Sequence, residues 1–215
     1  MPRESAAEKI ARAEQIVTRL KKRYPDAHCS LNFKTVHQLM VATILSAQCT
    51  DERVNKVTPA LFKRYHTVQQ FAEAEITELE ELVYTTGFFR AKAKSIKKSA
   101  EQIVEQFDGV VPKTLKELVT LAGVGRKTAS VILGVGYGLS EGVVVDTHVG
   151  RISGKLKLTT QSDPVKIERD LMKLIPQENW VLFAHLMIYH GRSICVARAP
   201  RCGECPITKL CPSAE

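Results

Sequence analysis

The sequence predicts an all-α protein. Apolar residues recur at intervals of three and four along most of the 215 residues, which is the period of an amphipathic helix. Capping residues, glycines and prolines separate the periodic segments. Only residues 142–145 look briefly strand-like, and so short a stretch does not make a sheet.

Each predicted helix is defined by an apolar face and by end signals. In chain order, the periodic segments carry Ile10, Val17 and Leu20; Val36, Leu39, Met40 and Ile44; Val54, Val57 and Leu61; Leu79, Leu82 and Val83; residues 91–107; Leu115, Leu118 and Leu121; residues 127–137; Val149, Ile152 and Leu156; the residues after Pro164; and residues 180–190. Helix starts are predicted at Asp51, Thr77, Thr114, Asp146 and Asp163. Helix ends are predicted at Asp108–Gly109 and at Gly191. At the start of the basic helix over residues 91–107, a solvated face is expected, with phosphate contact as the alternative, for Arg90, Lys92, Lys94, Lys97 and Lys98.

The charge of the chain favours a polyanionic partner. Lys and Arg total 31 against 23 Asp and Glu, which gives a net charge of +8. Each phosphate that a basic residue neutralises releases condensed counterions and so adds affinity. A basic protein with no nucleic-acid partner would have the same composition, and charge alone leaves both open.

No membrane or export segment is apparent in the sequence. No apolar run approaches the roughly 20 residues that span a bilayer, and the N-terminus leads into a polar helix without an apolar signal region. We therefore expect an intracellular, cytoplasmic protein with no membrane partner.

A glycine hairpin over residues 121–129 is the most informative internal motif. Two glycines, Gly123 and Gly125, flank Val124 between two predicted helices. We expect both glycines to allow positive φ and close backbone approach, and Val124 to anchor the turn in the core. The N–H groups that open the second helix would then bind a phosphate without reading base sequence. A helical corner that only packs is the alternative.

The C-terminal cysteines predict a metal site. Cys195-x6-Cys202-x2-Cys205-x5-Cys211 supplies four thiolates from one short segment. Four cysteines suit either tetrahedral zinc or a [4Fe–4S] cluster, and the spacing leaves zinc open. Disulfides are not expected inside a cell. Cys29 and Cys49 are interpreted as buried thiols.

Four motifs together resemble the endonuclease III family of helix-hairpin-helix DNA glycosylases. Residues 121–129 resemble its hairpin, residues 44–51 its early helix and turn, and residues 145–148 its aspartate motif. The cysteine array is similar to its iron–sulfur loop. The motifs stand in the family's order, and the likeness covers essentially the whole chain.

The resemblance implies two helical lobes with a DNA-binding cleft between them. Residues 29–140 would form a six-helix bundle with the hairpin, and residues 1–28 and 141–215 a lobe with a [4Fe–4S] cluster. The partner would be double-stranded DNA containing damaged bases or abasic sites, bound by a monomer. The cluster would fix the loop carrying Arg198 and Arg201 against phosphates.

The resemblance also implies a bifunctional glycosylase and AP lyase that acts on oxidised pyrimidines. Lys127 stands two residues after Gly125, where the family's catalytic lysine lies, and would form a Schiff base with the sugar. A lysine attacks only when neutral, which the dipole of a helix N-terminus and desolvation by a bound base both favour. Asp146 would stabilise positive charge on the sugar and accept the lysine proton. A monofunctional glycosylase and a non-catalytic DNA-binding protein are the alternatives.

Further DNA contacts follow from the same resemblance. Gln48 resembles the glutamine that fills the gap left by the extruded base, and Phe88 stands at the position of the wedge on the opposite strand. Phe88 and Phe89 compete for that role, and one of them is expected to pack at a helix start. The other expected DNA contacts are Arg90, Arg126, Thr128 and His148. For His148, a structural hydrogen bond is an equal alternative.

Overall fold

The computed structural model describes residues 4–214, and over that range the regular elements are all helical. The α-helices are α1 (Ala6–Arg23), α2 (Val36–Leu45), α3 (Asp51–Arg64), α4 (Val68–Ala72), α5 (Ile76–Val83), α6 (Phe89–Phe107), α7 (Leu115–Leu118), α8 (Arg126–Val131), α9 (Thr147–Lys155), α10 (Pro164–Met172) and α11 (Trp180–Ser193). Shorter helical turns are 3-10 helices at Tyr84–Thr86, Gln177–Asn179, Cys202–Glu204 and Thr208–Leu210, and a π-helix at Ile132–Tyr137. The all-α prediction is confirmed.

Three of the predicted helix caps are present. The side chains of Thr114, Asp146 and Asp163 each accept a hydrogen bond from a backbone N–H three residues further on. Helix α6 ends as predicted, since Asp108 (φ 51°) and Gly109 (φ 76°) both adopt the left-handed conformation.

Three other end signals were wrong. Thr50 caps α3 by accepting from the Arg53 N–H, so Asp51 is the first helical residue. Thr77 lies inside α5, which starts at Ile76 without a side-chain cap. Gly191 lies inside α11, which continues to Ser193.

The chain divides into two compact units, and Cys29–Leu139 forms one of them. Helix α2 lies at its centre, with seven of its ten residues buried. His37 on this helix is buried against the Phe71 ring, with centroids 5.0 Å apart. Burial lowers the pKa of His37 to about 4, so the ring is neutral at physiological pH.

The other unit joins the N-terminal segment, up to His28, to the segment that begins at Ser140. Its core includes Leu20, Phe183 and Met187, all fully buried. The Arg12 guanidinium of α1 donates to the carbonyls of Leu156 at 2.8 Å and Leu210 at 3.1 Å. These bonds tie the first helix to the end of α9 and to the cysteine-bearing segment.

No helix within residues 4–214 combines the length and apolar character needed to cross a bilayer.

Candidate functional site

The glycine hairpin is anchored in the core of its unit. Leu121 and Val124 are 3% and 4% exposed, as expected for the anchor. Gly123 has a φ of 75°, and a Cβ there would lie 2.7 Å from the Cβ of Ser95, so only glycine fits. Gly125 differs from the expectation, because its φ of −83° is open to any residue. The turn therefore needs one glycine for its conformation.

The second glycine leaves an open backbone at the start of α8. Gly125 is the N-cap of α8 without a side-chain cap, and a Cβ there would meet nothing within 4 Å. A helix start of this kind leaves N–H groups available to an anion.

Lys127 lies in the first turn of α8, as the sequence predicted. Its side chain is exposed, as is that of Arg126, whereas Thr128 is half-buried. The Lys127 side chain is therefore open to solvent in the free protein.

Asp146, in the other unit, is the N-cap of α9. Its Oδ1 accepts a hydrogen bond from the Val149 N–H at 2.8 Å, and the side chain is half-buried. A carboxylate has about four acceptor sites, so the cap leaves acceptor capacity for a second task.

His185, which the sequence did not single out, lies within electrostatic reach of Asp146. Burial lowers the pKa of His185, the neighbouring His28 lowers it further, and the negative charge of Asp146 opposes both. Histidines recur on many apolar helix faces, so no sequence signal marked this one.

Gln48 and Phe88 share an unusual backbone conformation. Gln48 has a φ of 52° and Phe88 a φ of 48°, and both side chains are exposed, Phe88 to 68%. A bulky residue with positive φ is an outlier, and such strain concentrates at functional sites. The structure thus presents at the surface the two residues predicted to enter DNA.

Phe89 packs, in contrast with Phe88. Its ring lies against Tyr84 with centroids 4.8 Å apart. The Arg90 guanidinium lies over the Phe89 ring at 4.8 Å and 3.7 Å from a Glu80 oxygen. Arg90 remains 78% exposed, so it is accessible to a phosphate.

The remaining predicted DNA contacts differ in their exposure and in their contacts within the protein. His148 is half-buried, and Arg151 approaches its Nδ1 at 3.4 Å. Arg198 and Arg201 are exposed. The Arg201 guanidinium donates to the Ser193 carbonyl and lies 3.5 Å from a Glu204 oxygen.

The four C-terminal cysteines share one pocket. All are free and half-buried, and the pocket between them is also lined by Ile152 and Ile194. Cys205 lies close enough to the other three for their charges to interact. Within residues 4–214, no three His, Cys, Asp or Glu side chains are gathered as ligands of a single ion. Four free thiols around a pocket are the donor set of tetrahedral zinc or of an iron–sulfur cluster.

Neighbouring groups orient these sulfurs. Arg151 donates to the Cys195 carbonyl at 2.6 Å and lies 3.9 Å from its Sγ. His190 Nε2 lies 3.6 Å from the Cys205 Sγ. Burial raises the pKa of the Cys195 and Cys205 thiols in the free protein, and the positive charge of Arg151 opposes this at Cys195. Loading the site must therefore release thiol protons.

The fold and the hairpin define a class of DNA repair protein. Residues 41–177 match the model of the HhH-GPD superfamily of base excision DNA repair proteins. Residues 195–211 match the iron–sulfur binding domain of endonuclease III. The matched range begins at the first cysteine of the array and ends at the last.

Full-length relatives identify the family within that class. Endonuclease III of Synechocystis sp. is 58% identical over 209 residues, covering 97% of this chain and 95% of the relative. Endonuclease III of Escherichia coli is 37% identical over 205 residues, covering 95% and 97%. The chain belongs to the endonuclease III family, and its cofactor is a [4Fe–4S] cluster.

Solved structures of the same family match over nearly the whole chain. A non-covalent endonuclease III–DNA complex is 38% identical with a TM-score of 0.89, covering 95% of this chain and 96% of the other. A trapped endonuclease III–DNA covalent intermediate is 40% identical with a TM-score of 0.87, covering 94% and 96%.

Proposed function

We propose that this protein excises oxidised pyrimidines from double-stranded DNA and cleaves the resulting abasic strand, with Lys127 as nucleophile. Its family supports a bifunctional glycosylase and AP lyase of base excision repair. The observation that carries the assignment of Lys127 is its exposed position in the first turn of α8, directly after the glycine hairpin. A protein 40% identical to this chain has been trapped in a covalent intermediate with DNA.

The chemistry that we assign to Lys127 is an attack on the sugar. The lone pair of the neutral amine forms a bond to C1′, and the C1′–N bond to the damaged base breaks, so that the base leaves with that electron pair and is protonated. The amine then gives one proton to Asp146, and its lone pair expels O4′ from C1′, so that the C1′–O4′ bond breaks, O4′ is protonated and the imine forms. The imine acidifies the C2′ proton, whose loss expels the 3′ phosphate and nicks the strand.

Asp146 complements this reaction with its charge. As the C1′–N bond breaks, positive charge develops on the sugar, and a carboxylate stabilises that charge and accepts the amine proton. The acceptor capacity left over from the α9 cap supports this role.

The DNA contacts that we propose fall into two groups, those with the backbone phosphates and those within the duplex. The open start of α8, with Gly123, Gly125, Arg126 and Thr128, grips the backbone. Gln48 and Phe88 enter the duplex from the two strands, and Arg90, His148, Arg198 and Arg201 lie along the phosphates.

The cluster has a structural role in this proposal. Cys195, Cys202, Cys205 and Cys211 hold it, and it fixes the segment that carries Arg198 and Arg201. Excision and β-elimination transfer no electrons, so they need none from the cluster. We further propose that the protein acts as a monomer on DNA in the cytoplasm, at the nucleoid.

Borohydride trapping tests the function. Reduction of the imine during reaction with a thymine glycol duplex should give a stable protein–DNA adduct, which Lys127→Ala should abolish. Lys166→Ala is the matched control, because Lys166 is an exposed lysine in the first turn of α10. We expect it to form the adduct at the rate of the unaltered protein.

The same assay separates the alternatives. Base release without any adduct would replace this proposal with a monofunctional glycosylase. Neither product, with DNA binding retained, would indicate a non-catalytic binding protein. Adduct formation that persists in Lys127→Ala would remove Lys127 from its assigned role.

A further inference from the structure

Lys92, the fourth residue of α6, is buried although it is charged. It is 6% exposed, and its Nζ donates to the Leu45 carbonyl at 2.8 Å and to the Thr86 carbonyl at 2.7 Å. Both carbonyls stand at the C-terminal end of a helical segment, where carbonyls lack partners within the helix. One ammonium group therefore completes two helix ends at once.

Each of these helix ends leads directly into a predicted DNA-inserting residue. Leu45 precedes Gln48 by three residues, and Thr86 precedes Phe88 by two. The Lys92 backbone N–H also donates to the Phe88 carbonyl at 3.1 Å. Lys92 thus contacts the base of the Gln48 turn with its side chain and the Phe88 turn with both side chain and backbone.

A buried ammonium is a costly way to gain stability. Desolvation opposes its charge, lowering the pKa of Lys92, and apolar replacements of buried ionic groups are often neutral or stabilising. Unlike an apolar side chain, a lysine has three N–H donors, which can hydrogen-bond to separate backbone segments and so join them. Here those segments are the two turns that hold exposed residues at positive φ.

We propose that Lys92 is a positioning residue that joins the Gln48 and Phe88 turns into one rigid unit, so that both residues enter the duplex together when a base is extruded. The inference rests on the proposed function, since it assumes that Gln48 and Phe88 insert into DNA. It concerns strand opening and leaves the chemistry at Lys127 unchanged.

The chain offers a closely matched control for this role. Lys97, on the same helix, donates from Nζ to the carbonyls of Ala72 and Ala74, each at 2.8 Å. Lys97→Met removes the same number of hydrogen bonds from α6 as Lys92→Met, but at the end of α4 instead of at the inserting turns.

The experiment compares base extrusion with chemistry in holoprotein carrying its cluster. A duplex with 2-aminopurine beside thymine glycol reports strand opening by fluorescence, and a single-turnover assay reports base release. Borohydride trapping on a preformed abasic site reports the Schiff-base step where no base must be unstacked. Thermal unfolding gives the folded fraction of each variant.

We expect Lys92→Met to lose most of the fluorescence change and to release base on the order of a hundredfold more slowly, since small misplacements in a reacting complex cost that much. Its trapping on abasic DNA should stay within about threefold of the unaltered protein, and Lys97→Met should match the unaltered protein in the extrusion, base-release and trapping assays. Equal behaviour of the two variants would overturn the proposal, as would an equal loss of base release and abasic trapping in Lys92→Met.

Lys92→Gln decides the matter if Lys92→Met does not fold. The amide keeps two N–H donors but is too short to join both carbonyls, so the same selective loss is expected, and unchanged extrusion would overturn the proposal. Gln48→Ala and Phe88→Ala separate this result from the proposed function. If the unaltered protein releases no base, the proposed function fails. If these two variants extrude normally, the insertion roles of Gln48 and Phe88 fail, and the role of Lys92 fails with them. If both are defective while the Lys92 variants resemble Lys97→Met, only the role of Lys92 fails.

Discussion

Asp146 Oδ1 accepts the Val149 N–H and so completes the first turn of α9. Asn and Asp are equally good N-caps, whereas Ala at such a site costs about 1 kcal/mol. Asp146→Asn therefore removes the negative charge while leaving the helix cap in place, and Asp146→Ala removes both.

Asp146→Asn should retain its unfolding temperature and lose base excision. We expect a single-turnover rate lower by a factor of about a hundred or more, the range of a general acid or base. Asp146→Ala should show the same kinetic loss and also unfold at lower temperature. Normal excision by Asp146→Asn would mean that the residue serves only as a cap.

The positions of Gln48 and Phe88 were predictable, but their conformations were not. Nothing in the sequence of residues 44–51 or 86–90 requires a non-glycine residue to adopt positive φ. Such a conformation persists only where contacts with the surrounding structure hold the backbone in place. Lys92 was interpreted as part of a solvated helix face, because the sequence pattern does not distinguish a buried lysine from an exposed one. Its burial depends on carbonyls 47 and 6 residues away, which no local pattern shows.

At the scale of elements, the cysteine-bearing segment has little regular structure of its own. Its 3-10 turns, Cys202–Glu204 and Thr208–Leu210, are three residues each. Contacts from Arg151 to the Cys195 carbonyl and from Arg12 to the Leu210 carbonyl attach it to the helices. With so little regular structure, the segment needs a further constraint on its conformation. Cluster binding can supply it, because metal binding is coupled to folding in such sites.

Cys202→Ala should therefore lose the brown colour of the cluster and bind DNA more weakly, because Arg198 and Arg201 are no longer held in place. Visible absorption and a salt titration of DNA binding measure the two effects. Cys49→Ala is the control, because Cys49 lies outside the array and should leave the colour unchanged. Visible absorption near normal intensity in Cys202→Ala would contradict the ligand assignment.

Helix ends show where local signals suffice and where packing overrides them. Asp163 followed by Pro164 marked the start of α10 correctly, since proline fits the first helical position. The Thr77–Glu80 pattern resembled a capping box, yet α5 starts at Ile76 and includes Thr77. Gly191 resembled a helix end, but it is buried within α11, where small size rather than flexibility explains the glycine.

At the scale of the whole molecule, periodicity predicted the helices but not the association of the N-terminal helix with the C-terminal segment. That association depends on long-range contacts such as those of Arg12, whose bonds span 144 and 198 residues. Cysteine spacing left zinc and an iron–sulfur cluster both open, and likeness to a family decided between them. The hairpin was the feature most fully predictable from sequence, because Gly123 and Val124 are dictated by local geometry and burial.

In the proposed mechanism the Nζ of Lys127 bonds to C1′ of the sugar, and mass spectrometry of the borohydride-reduced adduct identifies the lysine that carries this bond. After digestion of the protein and the DNA, the peptide containing Lys127 should carry the mass of the reduced sugar fragment. A modified peptide that contains a different lysine, with the Lys127 peptide unmodified, would show that another residue is the nucleophile.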